Sequence, residues 1–248
     1  MPYVELHGNL FASRAQAYVN TVNCVGAMGK GIALEFRRRY PRMFAQYYQI
    51  CRQRQLQPGQ ILPYRKESPW ILNFAIKNDW KHPSKIEWIE TCLEKFCARY
   101  RDMGISSVAF PWMGAMNGGL PLEQIQAVTR RYLRTVDDIS VEVSPFDPEA
   151  PDPLDENMFA ARAQLPVEEI AQLASVNRSS AAVLRDVALE RKPPSFTRLL
   201  EATGFGKSLA DKVYAFALRV AGDAPPQQPR SQTSMFTDDH GRRRPRVA

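Results

Sequence analysis

The chain has 248 residues, 44% of them apolar, and its 33 Lys and Arg against 26 Asp and Glu give a formal charge of +7. That balance is ordinary for a soluble globular protein and provides for one substantial core plus a smaller module. No apolar run reaches the roughly 18 residues of a membrane span, and MPYVELHGNLF lacks the basic and apolar regions of a secretory signal. Cys24, Cys51, Cys92 and Cys97 form no CxxC pair, and His7, His82 and His240 do not complete a metal-ligand spacing, so reduced thiols, no metal and a cytoplasmic location are expected.

In chain order, YVELHG (3–8) and AQAYVNTV (15–22) read as strands. KGIALEFRRRYPRMFAQYYQICRQR (30–54) reads as two short helices broken near Pro41, since proline cannot continue a helix interior. GQILPYR (59–65) and PWILNFAI (69–76) read as a strand pair. Apolar residues at 86, 89, 93, 96 and 97 form a helical stripe, with Ser84 as the expected N-cap and His82 just ahead of it. GISSVAFPWM (104–113) is a buried strand, PLEQIQAVTRRYLRTV (121–136) a helix opened by Pro121, and DISVEVSPF (138–146) a last strand. Alternating strands and helices predict an α/β protein, a mixed sheet covered on both faces.

SPFDPEAPDPLDEN (144–157) holds four prolines and five acids in fourteen positions, a linker composition. The expected division is an α/β domain over 1–147, a linker over 148–157, a small all-helical domain over 158–222 and a polar, proline-rich, disordered tail over 223–248.

Two runs carry chemistry. VNTVNCVGAMGKGIALEF (19–36) delivers Asn20, Thr21 and Asn23 to a strand end, passes Gly26, Gly29 and Gly31, and enters a helix. Glycines there let backbone N–H groups approach an anion, and the helix N-terminus favours negative charge. The spacing is neither Walker A nor GxGxxG, so alone it reads equally as a tight turn. AFPWMGAMNGGLP (109–121) repeats the device through Gly114, Gly118 and Gly119. Two such loops at one sheet rim have the arrangement to face each other across a diphosphate, or they are unrelated turns.

HGNLF, VNTVNxxGxMGKGIAxEF and FPxxGxxNGGL, occurring in this order over about 150 residues, resemble the macrodomain family of three-layer α/β/α ADP-ribose-binding modules. MGKGIA followed by NFxxKxxW is most similar to the DarG-type antitoxins, DNA ADP-ribosyl glycohydrolases. The resemblance implies Asn9 and Leu10 on the adenine side and Asn23 at the distal ribose. It places the diphosphate between Gly26, Met28, Gly29, Gly31 and Ile32 on one side and Gly114, Ala115, Met116, Asn117 and Gly118 on the other. Asn20, Thr21, Lys30, Pro111 and Gly119 complete the expected ligand set.

Lys77, closing the apolar run ILNFAI, is either a solvated residue at a strand end or the group the strand aims into the rim. The resemblance implies the second, with Lys77 catalytic as a neutral nucleophile or as a protonated clamp. Eukaryotic relatives pair this lysine with an aspartate in the second loop, and here MGAMNGGLPLEQ holds no acid before Glu123. Asp79 reads as a turn residue, and Trp80 either stacks on a nucleobase or anchors the core.

LLEATGFGKSLADKV (199–213) fits a helix-hairpin-helix turn with Lys207 and Ser208 beside a DNA phosphate, or a plain turn in a partner-binding bundle. QTSMF, with Gln232, Met235 and Phe236, is similar to the pentapeptide that enters the bacterial β sliding clamp. The function implied is removal of ADP-ribose from a DNA base, with ADP-ribose as ligand or product and no cofactor. The implied partners are ADP-ribosylated single-stranded DNA, a cognate toxin on the helical region, and the clamp. The alternatives are a non-catalytic ADP-ribose reader and a hydrolase of a small derivative such as a 1″-phosphate.

Overall fold

The computed structural model describes residues 3–145, 147, 149–150, 165–191 and 195–222. Six strands, β1 (Tyr3–Glu5), β2 (Ala17–Asn23), β3 (Ile61–Tyr64), β4 (Trp70–Lys77), β5 (Ser107–Phe110) and β6 (Ser140–Val143), form one sheet in the order β1-β6-β5-β2-β4-β3. All neighbours are parallel except β3, which runs antiparallel to β4 at the edge. This is the mixed sheet expected from the alternation of strand and helix signals.

The period-two pattern of the strands sorts side chains onto two faces. Leu72, Phe74 and Ile76 of β4 join Val19 and Phe110 beneath α3 (Ile86–Arg99) and α4 (Leu122–Leu133). Ile71, Ala75, Tyr18 and Val22 face α1 (Gly31–Arg39) and α2 (Pro41–Arg52), with Phe36, Met43 and Tyr47 against them. The chain after β2 therefore crosses one face, while the chains after β4 and β5 cross the other. Such a switch of sides opens a crevice at the carboxyl ends of the strands.

Asn73, the polar exception in β4, stands directly beside Asn20 of β2 and accepts a 2.8 Å hydrogen bond from its Nδ2, while its own Nδ2 donates to Leu62 O at 3.2 Å. The bond engages the Asn20 donor and the Asn73 acceptor inside a layer where unpaired polar atoms are costly, and the buried Asn20 Oδ1 is left without a partner among the described residues.

Ser84 is not the N-cap of α3. Lys85 holds that position with no side-chain cap bond, and the buried Ser84 Oγ has no partner in the structure. The Ser84 N–H donates to Gly118 O at 2.8 Å, which ties the residue ahead of the helix to the second glycine loop.

The helical segment comprises α5 (Val167–Ala174), α6 (Arg178–Asp186) running into a π-helical turn (Val187–Arg191), α7 (Phe196–Thr203) and α8 (Lys207–Gly222). Its own core includes Ile170, Leu184, Leu199, Val213 and Tyr214. Gly204, at φ +67°, ends α7 in the left-handed conformation that glycine tolerates.

Helix α8 docks on α1. Asp211 accepts from Arg37 Nη2 at 2.7 Å and Arg38 Nε at 2.9 Å, and the Tyr214 hydroxyl donates to buried Glu35 Oε2 at 2.7 Å. Hydrogen bonds to buried charged groups contribute about 1.5–3 kcal/mol. Tyr214→Phe is therefore expected to lower unfolding free energy by about that amount in chemical denaturation, with the midpoint moving and the slope retained.

No helix among the described residues is long and apolar enough to cross a membrane. The four cysteines are free, and burial pushes the Cys24 and Cys92 thiols up to about 12 and Cys97 up to about 11. Thiols held there are packing groups rather than nucleophiles. The QTSMF run and the final arginines lie outside the described residues.

Candidate functional site

The carboxyl ends of β2, β4 and β5 surround a cavity of about 780 Å³, within the range of small-ligand sites. Its walls are the two glycine loops. Gly29, Lys30 and Ile32 come from the first, and Gly114, Ala115, Met116, Asn117 and Gly118 from the second. Thr21, Asn23, Lys77, Trp80 and Pro111 complete the part of the expected set that the fold brings together.

The loops touch. A Cβ on Gly31, whose φ is +55°, would fall well inside the van der Waals shell of Asn117 Nδ2. Glycine is required there twice over, for the left-handed backbone and for the approach of the opposite loop.

Asn23 builds the first loop. Its Oδ1 accepts from Val25 N at 3.1 Å and Ala27 N at 3.2 Å, its Nδ2 donates to Ala27 O at 2.6 Å, and the Tyr47 hydroxyl donates to its backbone carbonyl at 2.8 Å. A break in the strand register puts Asn23 beside Lys77, after Val22 has paired with Ala75. Irregularities of this kind re-aim side chains next to sites.

Lys77 follows six buried residues, so its stem is fixed while its head reaches the rim. Its Nζ donates to Asn117 O at 2.5 Å, linking β4 to the second loop. Partial desolvation holds its pKa below the ordinary lysine value. Among the described residues no carboxylate lines the cavity, whereas Lys30, Lys77, Lys81 and Lys207 all do. Phosphates and other anions suit such a wall.

Several expected residues lie elsewhere. Asn9 is buried and caps a short 3-10 turn, its Oδ1 accepting from Phe11 N at 3.1 Å and its Nδ2 donating to Ala150 O at 3.4 Å. Leu10 is wholly buried beside it. Asn20 and Met28 lie beneath the first loop, the Asn20 amide 3.9 Å from the Met28 sulfur. Gly26, Gly31 and Gly119 shape the loops from behind, all three at positive φ, without lining the cavity. Asp79 is a turn residue, accepting from Lys81 N at 2.9 Å. Trp80 is 58% exposed at the rim and anchors no core.

Ser84, Lys81, Trp112 and Lys207 line the cavity unforeseen. Lys207 had a signal, its hairpin turn, but the sequence did not connect that turn to the cavity. Among the described residues no group of three His, Cys, Asp or Glu is arranged to hold a metal ion.

Known proteins share this architecture. The Macro domain family model matches residues 19–129, from the middle of β2 into α4. A DNA ADP-ribosyl glycohydrolase of Thermus aquaticus is 37% identical over 142 residues, 56% of this chain and 39% of its own length. The macrodomain of Mycobacterium tuberculosis DarG superposes with a TM-score of 0.56 at 35% identity, over 58% of this chain and 97% of that one. Thermosipho africanus DarTG in complex with ADP-ribose gives a TM-score of 0.56 at 30% identity, over 58% and 42% of the two chains. The chain thus spans about two fifths of the length of the Thermus relative. With 97% of the Mycobacterium domain covered at 35% identity, the chain belongs to the macrodomain family.

Proposed function

We propose that the protein is an ADP-ribosyl glycohydrolase that releases ADP-ribose from a nucleic-acid base, with residues 1–147 as the catalytic unit. The observation that carries this reading is Lys77, held at the end of a buried strand, between two glycine loops, in a cavity that no carboxylate of the described residues lines. The activity named for the Thermus relative and the ADP-ribose held by the Thermosipho one support it.

Backbone N–H groups of the two loops hold the diphosphate and direct the distal ribose to Lys77. In its neutral form the Nζ attacks C1″ as the bond from C1″ to the base breaks. The base leaves with the electron pair and takes the proton that the nitrogen sheds. Water then cleaves the C1″–Nζ bond, regenerating the amine and freeing ADP-ribose. Desolvation makes the neutral amine accessible nearer to physiological pH. The source of the modification, in this reading, is a cognate transferase toxin, and the reaction takes place in the cytoplasm.

The sign of the pH dependence follows. A depressed lysine pKa means the nucleophilic form grows in as pH rises through a value below 10.5. The logarithm of kcat/KM is expected to climb with unit slope up to that pH and to level off above it. A rate that instead falls over the same limb identifies Lys77 as a protonated clamp.

A second reading rests on the second loop, which holds no acid before Glu123: a reader that binds ADP-ribose without cleaving it. Incubation with ADP-ribosylated single-stranded DNA and, separately, with ADP-ribosylated protein distinguishes the two. Free ADP-ribose from the DNA alone is the expected product. Tight binding with both substrates intact makes the protein a reader.

A further inference from the structure

Lys207 belongs to the helical segment, 78 positions beyond the end of the family match at Thr129, yet it lines the cavity. Its place there is built. Residues 207, 211 and 214 recur at i, i+4 and i+7 and share one face of α8. Asp211 and Tyr214 use that face to grip Arg37, Arg38 and Glu35 of α1. Lys207, one turn before Asp211 on that face, lines the cavity together with Lys30 of the first glycine loop.

The nearest acid on α8, Asp211, is occupied by two arginines and does not neutralise Lys207. Lys30, Lys81 and Lys207 form no ion pair among the described residues, in a chain where most ion pairs engage arginine. Beside them Trp80 presents an exposed indole, with Lys81 Nζ 5.6 Å from its centroid. Met116 and Leu122 extend the apolar rim, 69% and 47% exposed. Uncommitted cations interleaved with an exposed aromatic suit a single-stranded nucleic acid, phosphates on the lysines and a base on the ring. An acidic protein surface would meet the lysines equally well but would gain nothing specific from the exposed indole.

We infer that the helical segment is part of the substrate site, with Lys207 and Lys81 holding the phosphates of the strand that flanks the modified nucleotide and Trp80 stacking a neighbouring base. This rests on the glycohydrolase reading for its chemistry and adds the source of selectivity: ADP-ribose on a strand is preferred to ADP-ribose on an isolated nucleoside.

Two measurements on the full chain test it. The first is fluorescence anisotropy with an unmodified single-stranded oligonucleotide, which requires no turnover. Lys207→Ala is expected to weaken binding about five- to tenfold at low salt and to flatten the log–log salt slope by about 0.7, with Lys207→Arg restoring both. The second compares kcat/KM for an ADP-ribosylated oligonucleotide and an ADP-ribosylated nucleoside, whose ratio should fall about tenfold in Lys207→Ala and in Trp80→Ala. Absence of strand binding by the wild-type protein, or an unaltered salt slope in the variant, overturns the inference. So does an equal loss on both substrates, which makes Lys207 a contact for ADP-ribose itself. Strand binding that behaves as expected without any hydrolysis retains the inference and removes the glycohydrolase reading.

Discussion

Replacing Lys77 by alanine is expected to lower turnover of ADP-ribosylated single-stranded DNA about 10²–10⁴-fold, the range lost with one essential proton-transferring or charge-stabilising group. Affinity for ADP-ribose should fall far less. The contact removed from the free protein is the Nζ bond to Asn117 O, an exposed pair with a net value near 1 kcal/mol. Calorimetric titration with ADP-ribose and product release from labelled DNA measure the two quantities on one preparation. Lys77→Arg separates the chemical roles, because guanidinium keeps the charge but cannot be a neutral nucleophile. Arginine at 77 restoring turnover means a clamp, and arginine failing while binding is kept means an attacking amine. If alanine leaves turnover unchanged, Lys77 is a strand-end lysine tied to a loop and the proposed mechanism falls.

The parts of this fold legible in sequence are those set by local chemistry. ILNFAI announced a strand buried on both faces, and Pro41 announced the break between α1 and α2. The glycine runs announced two strand-to-helix turns at the same rim. What stayed hidden depends on residues distant in the chain. Asn73 looked anomalous because its partner, Asn20, lies 53 positions earlier and joins it only through β2–β4 pairing. Ser84 had the right residue type for a cap, but the N-cap of α3 falls one residue later, at Lys85, and Ser84 is tied through its N–H to Gly118 in the second loop. Asn9 carries a cap that the sequence did not announce, its amide bonding to Phe11 and to Ala150, 141 positions away. Lys207 is the clearest instance. The hairpin around it was visible, but its meeting with the cavity depends on Asp211 and Tyr214 finding α1.

The second large effect is expected at Gly118. A Cβ there would lie inside the backbone of Gly114, closer than any real Cβ approaches a backbone atom, and Gly114 cannot yield as a flexible side chain would. The loop is closed on itself by Leu120 N donating to Gly114 O at 3.1 Å and Gly119 N to Met116 O at 3.2 Å. It is tied to the rest of the site by Ser84 N on Gly118 O and by Lys77 on Asn117 O. Gly118→Ala must therefore open the loop and shift two of the cavity's anchors together. Strain of this kind costs about 1–3 kcal/mol, and here it falls on the conformation the ligand selects. ADP-ribose affinity is accordingly expected to drop at least tenfold, and turnover with it, because Asn117 no longer positions Lys77. The sheet cores lie below the loop, so far-UV circular dichroism should keep its shape. Undiminished binding by Gly118→Ala would mean that the second loop is only a connection and that the diphosphate is held elsewhere.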